Sequence, residues 1–142
     1  MNDSAGASPA FWELLRTLHE VELHIEAALE PIGLSLPKLG VLSKLVAAGE
    51  PLPLGTLAER CACVRSNITQ LVDRLEAEKL VSRADDPHDR RSVRAELTAQ
   101  GRARHAAGVR AIEKAEKDLF SGLSAKKQEE LLGLLRSLRG TP

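Results

Sequence analysis

Between residues 65 and 74 the chain sets Arg65, Ser66, Asn67, Thr69, Gln70 and Arg74 among Ile68, Leu71, Val72 and Leu75. The aliphatic positions recur every three or four residues, so they share one face of a helix and leave the polar ones on the other. Guanidinium, amide and hydroxyl groups at a helix start are the groups that hydrogen-bond nucleobase edges. Arg suits guanine, Asn and Gln suit adenine, and Ser or Thr suits bases or phosphates. A solvated surface helix uses the same residue types, so this segment alone leaves both readings open. A second concentration lies downstream, where Arg90, Arg91 and Arg94 stand in or beside the polar, proline-broken stretch Asp85-Asp86-Pro87-His88-Asp89-Arg90-Arg91-Ser92. An arginine at a hairpin tip fits a narrow minor groove, where the negative potential of DNA is strongest. Asp89 is placed to hold Arg90 or Arg91 through a charge-assisted hydrogen bond.

Other chemistries find less support. There is no glycine-rich phosphate loop, no HExxH and no GxSxG, so no enzyme, and no cofactor, is expected. Cys61 and Cys63 are too few and too close for a disulfide framework. They read either as small hydrophobes or as a redox switch beside the polar helix, with Arg60 or Arg65 lowering a thiol pKa. His19, His24, His88 and His105 are scattered, and only Glu20 or Glu22 near His19 and His24 hints at a cluster; no spacing is diagnostic of a metal site.

The elements that position these residues follow from apolar spacing. Phe11, Leu14, Leu15, Leu18, Val21, Ile25 and Leu29 predict a helix over 10–29, opened by Ser8-Pro9 and stopped by Pro31 and Gly33. A second helix starts near Leu36 behind Ser35, with Leu39, Leu42, Leu45 and Val46 inward, and breaks at Gly49 and Pro51-Leu52-Pro53. Two further helical stretches, parted near 62–64, fill 54–80. Leu80 to Arg83 and Val93 to Leu97 read as hairpin strands around a loop over 85–92. Thr98 then caps a long helix over 99–120, and Ser124 opens a leucine-rich last one. The predicted order is four helices, a hairpin and two helices, in one domain over 1–142: mainly α, with a small β-hairpin. The chain is 43% hydrophobic and 28% charged with zero formal net charge, ordinary for a soluble domain, so any case for nucleic acid rests on local charge. With no long apolar run and no signal segment at its start, it is expected in the cytoplasm, away from membranes.

Two helices, a tight turn and a hairpin form the layout of a winged helix-turn-helix. The stretch Asn67-Ile68-Thr69-Gln70-Leu71-Val72-Asp73-Arg74-Leu75-Glu76 resembles the recognition helix of the MarR-type regulators. It is followed in order by Leu80-Val81-Ser82-Arg83, Asp86-Pro87-His88-Asp89-Arg90-Arg91-Ser92 and Leu97-Thr98-Ala99-Gln100-Gly101. Leu36-Pro37-Lys38-Leu39-Gly40-Val41-Leu42 is similar to the family's second helix, so the resemblance spans nearly the whole chain.

The resemblance implies a cytoplasmic homodimer that binds double-stranded DNA at a pseudo-palindromic operator, usually as a repressor, and releases it when a small molecule binds or a cysteine oxidises. Residues 36–98 would form the DNA-binding region, and 10–33 with 99–140 the dimerisation helices. DNA contacts would come from Arg65, Ser66, Asn67, Thr69, Gln70 and Arg74 on the helix and from Asp89, Arg90, Arg91 and Arg94 on the wing. An organic effector would sit between dimer base and reading head; helix faces suggest Leu15, Leu18, His19, Glu22, Leu45 and Val46 as its walls. Redox sensing, metal sensing and a protein-binding adaptor on the same fold are the alternatives. Two departures from the family pattern stand out. Val64 occupies a capping position usually held by Ser or Thr. Lys79 stands where a glycine often ends the helix, at a cost of about 1 kcal/mol if the backbone there is left-handed.

Overall fold

The computed structural model describes residues 6–61 and 65–140; Val64 and Cys63 lie outside it, as do the side chains of Arg65 and Ser66. The order is α1 (Pro9–Leu29), a single 3-10 turn (Glu30–Ile32), α2 (Leu36–Ala48), β1 (Leu52–Pro53), α3 (Leu54–Arg60), α4 (Arg65–Ala77), β2 (Val81–Asp86), β3 (Asp89–Leu97), α5 (Ala99–Phe120) and α6 (Ala125–Leu138). This is the expected winged helix-turn-helix between terminal helices.

Four helices begin as the sequence predicts. The side chains of Ser8, Ser35, Thr98 and Ser124 accept from the backbone N–H of Phe11, Lys38, Gly101 and Lys127, at 3.2, 3.3, 2.9 and 3.2 Å. Each satisfies one of the orphan donors of a first turn.

The end of α4 carries its own signature. The N–H of Leu80 donates to the carbonyl of Leu75 and that of Lys79 to Glu76, both at 2.9 Å, while Lys79 has φ of 64°. This is a Schellman motif with lysine at the left-handed position, and Leu75 and Leu80, both fully buried, close the apolar contact that accompanies it. The left-handed cost anticipated for Lys79 is therefore incurred. Lys79→Gly is expected to stabilise the fold by about 1 kcal/mol, seen as a rise in Tm of about 4 °C.

Two corrections concern the sheet. Leu52 and Pro53 form a third strand, opposite Ala95 and Arg94, giving the antiparallel order β1-β3-β2. A two-residue strand containing proline offers no alternation to read, and proline fits only an edge. The hairpin is also longer than expected: Asp85, Asp86 and Asp89–Ser92 belong to the strands, and only Pro87 and His88 turn. Asp85 faces Val93 while Asp86 faces Asp89, so residues 90–92 stand opposite no β2 residue in the register. Such an irregularity bends a strand and re-aims its side chains.

The core lies almost wholly between Leu29 and Ala95. It gathers Leu39, Val41, Leu42 and Leu45 of α2 with Leu57, Ile68, Val72, Leu75, Leu80 and Val81. Val41 is fully buried although it falls off the predicted inner face, because α2 packs against both α1 and the helix-turn-helix elements. By contrast α1 buries only Leu29, and α6 buries nothing.

Candidate nucleic-acid interface

Helix α4 sorts its residues as its period demands. Ile68, Val72 and Leu75 are fully buried and Leu71 is half-buried; Asn67, Gln70 and Arg74 are exposed, with Thr69 half-buried between them. Spacings of three and four residues set Asn67, Gln70 and Arg74 along one outward face.

The wing presents Asp89, Arg90 and Arg91 to solvent at its tip. Asp89 does not pair with a guanidinium, as the sequence suggested; its Oδ1 accepts from the backbone N–H of Arg91 at 2.9 Å. That bond fixes the main chain and leaves the two arginine side chains projecting. The carboxylate that holds an arginine is Asp86, only 10% exposed, which accepts from the His88 N–H at 2.9 Å and stands 3.3 Å from Nη2 of Arg94. Arg94, placed with the wing contacts by sequence, is half-buried, and its Nε is buried with no hydrogen-bond partner. It braces the hairpin across the strands.

Sequence reasoning missed Arg83, whose guanidinium reaches from β2 onto α4. Nη2 lies 2.5 Å from Asp73 and Nη1 lies 3.3 Å from Glu76. Asp73 and Glu76 sit three apart on the outward side of α4, a pattern that asks for a cationic partner without saying where in the chain it lies. Lys38 and Glu78, 2.6 Å apart, tie the start of α2 to the end of α4 in the same way.

The six residues suggested as effector walls are not brought together. Leu15, Leu18, His19 and Glu22 lie on the exposed part of α1, Leu45 is 2% exposed in the core, and Val46 is half-buried. A cleft of about 710 Å³ does open where α1 and α5 meet α2 and α4, lined among others by Glu30, Leu34, Ser35, Lys38, Glu78 and Arg104. Across its wall Arg104 donates to the Ile32 carbonyl at 2.9 Å.

Cys61 ends α3, half-buried against the core. His19 is exposed on α1, His24 approaches Asp118 at 3.9 Å, and His88 turns the hairpin. His105 lies 3.2 Å from the Ser43 hydroxyl; burial, and then the nearby Arg102, hold its pKa below the usual histidine value. Among the described residues no three His, Cys or carboxylate side chains gather around a point. No single described helix is long and apolar enough to cross a membrane.

Comparison with known proteins places this geometry. Residues 32–92, which hold the helix-turn-helix and most of the wing, match the family model described as MarR family. The HTH-type transcriptional regulator YkoM of Bacillus subtilis is 34% identical over 106 residues, covering 73% of this chain and 67% of that protein. The HTH-type transcriptional repressor Rv2887 of Mycobacterium tuberculosis is 27% identical over 134 residues, covering 94% of this chain and 96% of the repressor. Among solved structures, CouR from Rhodococcus jostii bound to p-coumaroyl-CoA superposes with a TM-score of 0.75 at 26% identity, covering 94% of this chain and 95% of that one. With its helix-turn-helix, its three-stranded sheet and these relatives, the chain belongs to the MarR family of transcriptional regulators.

Proposed function

We propose that the chain acts as a homodimeric repressor that reads a pseudo-palindromic operator and leaves it when a small organic molecule binds. The observation that carries this reading is the pairing of an exposed amide-and-guanidinium face on α4 with a hairpin that exposes Arg90 and Arg91 while its aspartates fix the main chain of the turn. A helix of that kind suits the major groove, and an arginine tip suits the adjacent minor groove. The repressor Rv2887 supports the regulatory direction, and CouR with its bound acyl-CoA supports an organic effector. The cleft between α1, α2, α4 and α5 is the effector's place within one chain, since it adjoins both the terminal helices and the reading head. Leu15, Leu18, His19 and Glu22 join a pocket only where a second copy covers α1.

Direct contacts come from Asn67, Gln70 and Arg74, with Thr69 at the edge of the face, and from Arg90 and Arg91. Arg65 and Ser66, at the start of α4, belong to the same set by position. Titrating protein into duplex DNA at several salt concentrations tests this. Log affinity is expected to fall linearly with log salt, by about 0.9 per phosphate neutralised. Asn67→Ala or Gln70→Ala is expected to cost about 1–3 kcal/mol and relax specificity at one base pair per half-site. Arg91→Ala is expected to weaken binding broadly, most at A/T-rich flanks. A folded protein that protects no duplex at low ionic strength would overturn the reading.

A further inference from the structure

The contacts of Arg83 reach beyond one ion pair. Besides Asp73 and Glu76, its Nη2 lies 3.5 Å from the Thr69 carbonyl, and its own backbone N–H donates to Glu76 Oε2 at 3.3 Å. Thr69, Asp73 and Glu76 are spaced by four and three, so a single side chain spans about two turns of one helix face. The planar, multiply donating fork of arginine makes this possible; the point charge of lysine would not reach all three.

The hairpin that carries Arg83 is braced internally. Asp86 joins the turn to Arg94, and Asp89 fixes the main chain of Arg91. The segment from Arg83 to the tip is thus one stiff unit whose setting against α4 passes through the Arg83 side chain. The same guanidinium neutralises two carboxylates on the outward side of α4, where phosphates would otherwise meet negative charge.

From this arrangement we infer that Arg83 is a positioning residue, fixing the recognition helix and the arginine tip at the separation that lets both grooves be held at once. The inference rests on the DNA-binding reading above. It says that the second groove contact is made at high effective concentration because the spacing is set in advance. Arg83 itself touches no base. As a partly exposed ion pair, it adds little to the stability of the fold.

The test uses a duplex selected by the parent protein from a random-sequence pool, with Arg83→Gln, Arg91→Ala and the double variant. Arg83→Gln is expected to melt close to the parent and bind the selected duplex roughly tenfold more weakly. Hydroxyl-radical protection of the minor groove beside each half-site should disappear, while major-groove protection remains. Arg91→Ala should cost roughly tenfold in the parent and under about twofold once Arg83 is gone. Should Arg83→Gln melt far below the parent, Asp73→Asn with Glu76→Gln cuts the same bonds from the helix side, and its footprint must show the same loss. If the Arg91→Ala factor is equal in both backgrounds, or minor-groove protection survives, Arg83 sets no spacing and the inference fails alone. If the parent selects no duplex at all, the DNA-binding reading fails and takes this one with it.

Discussion

Gly101→Ala is expected to remove about 4 kcal/mol of stability, a large share of the roughly 5–15 kcal/mol that holds a domain of this size. The reason lies in how α5 starts. A Cβ at Gly101 would drive into the Leu80 carbonyl oxygen, and it would also stand 2.9 Å from Leu97 Cδ1. Leucine can rotate away; the carbonyl cannot. It accepts from the Thr98 N–H at 3.1 Å and from the Thr98 hydroxyl at 3.0 Å, and the N–H of the same Leu80 closes the Schellman turn of α4. Making room for one methyl group therefore disturbs the end of the recognition helix, the cap of α5 and the seam between them. Gly108 is the graded control. Its added Cβ would meet only the side-chain ends of Leu34 and Leu39, at 2.8 and 2.9 Å. Those ends can repack, so Gly108→Ala is expected to cost about 1 kcal/mol. Urea titration monitored by circular dichroism separates the two. Equal midpoints for both variants would mean that the α5 start is not packed against Leu80.

Much of this arrangement was legible in the residues because local rules decide it. Ser35 and Thr98 announce their helices by a hydroxyl before an apolar period; the left-handed position of Lys79 follows from the family resemblance, since lysine itself gives no local signal for it. What escaped reading depends on interactions that no local window contains. The wing strands run through Asp85, Asp86 and Asp89–Ser92, where polar residues point both ways because the hairpin projects into solvent. Alternation needs a core on one side to alternate against, and there is none. Arg83 finds Asp73 and Glu76 only because β2 lies at a particular angle to α4, which a helix period cannot specify. Helix faces suggest effector walls on α1 and α2, but a helix period does not say which neighbour each face meets. Leu45 turns into the core of the reading head while Leu15 and Leu18 stay outside it. The burial of Val41 has the same origin: α2 is enclosed on more than one side.

The terminal helices carry the second large effect. Leu134→Glu with Leu138→Glu is expected to yield a folded monomer whose operator affinity is lower by about 10²–10⁴-fold. In one chain Leu134 and Leu138 are 70% and 65% exposed, and Phe11, Trp12, Leu15, Leu18, Leu132 and Leu135 accompany them at roughly two-fifths or more. Each such side chain is worth about 1.5–3 kcal/mol when fully covered. Two copies present the set twice, enough to offset the about 4–15 kcal/mol that association costs. The reading head does not need this surface, since its core closes between Leu29 and Ala95 and α6 contributes nothing to it. Glutamates on α6 should therefore leave thermal unfolding of the head intact while sedimentation equilibrium reports a single chain. A lone head still meets one half-site, but the second half-site is no longer delivered by a tether, and that effective concentration is what the fold-change measures. If the double variant stays dimeric, the exposed leucines of α6 are not the seam. If it becomes monomeric and keeps full affinity, the operator is read by one head, and the two-fold model of recognition is wrong.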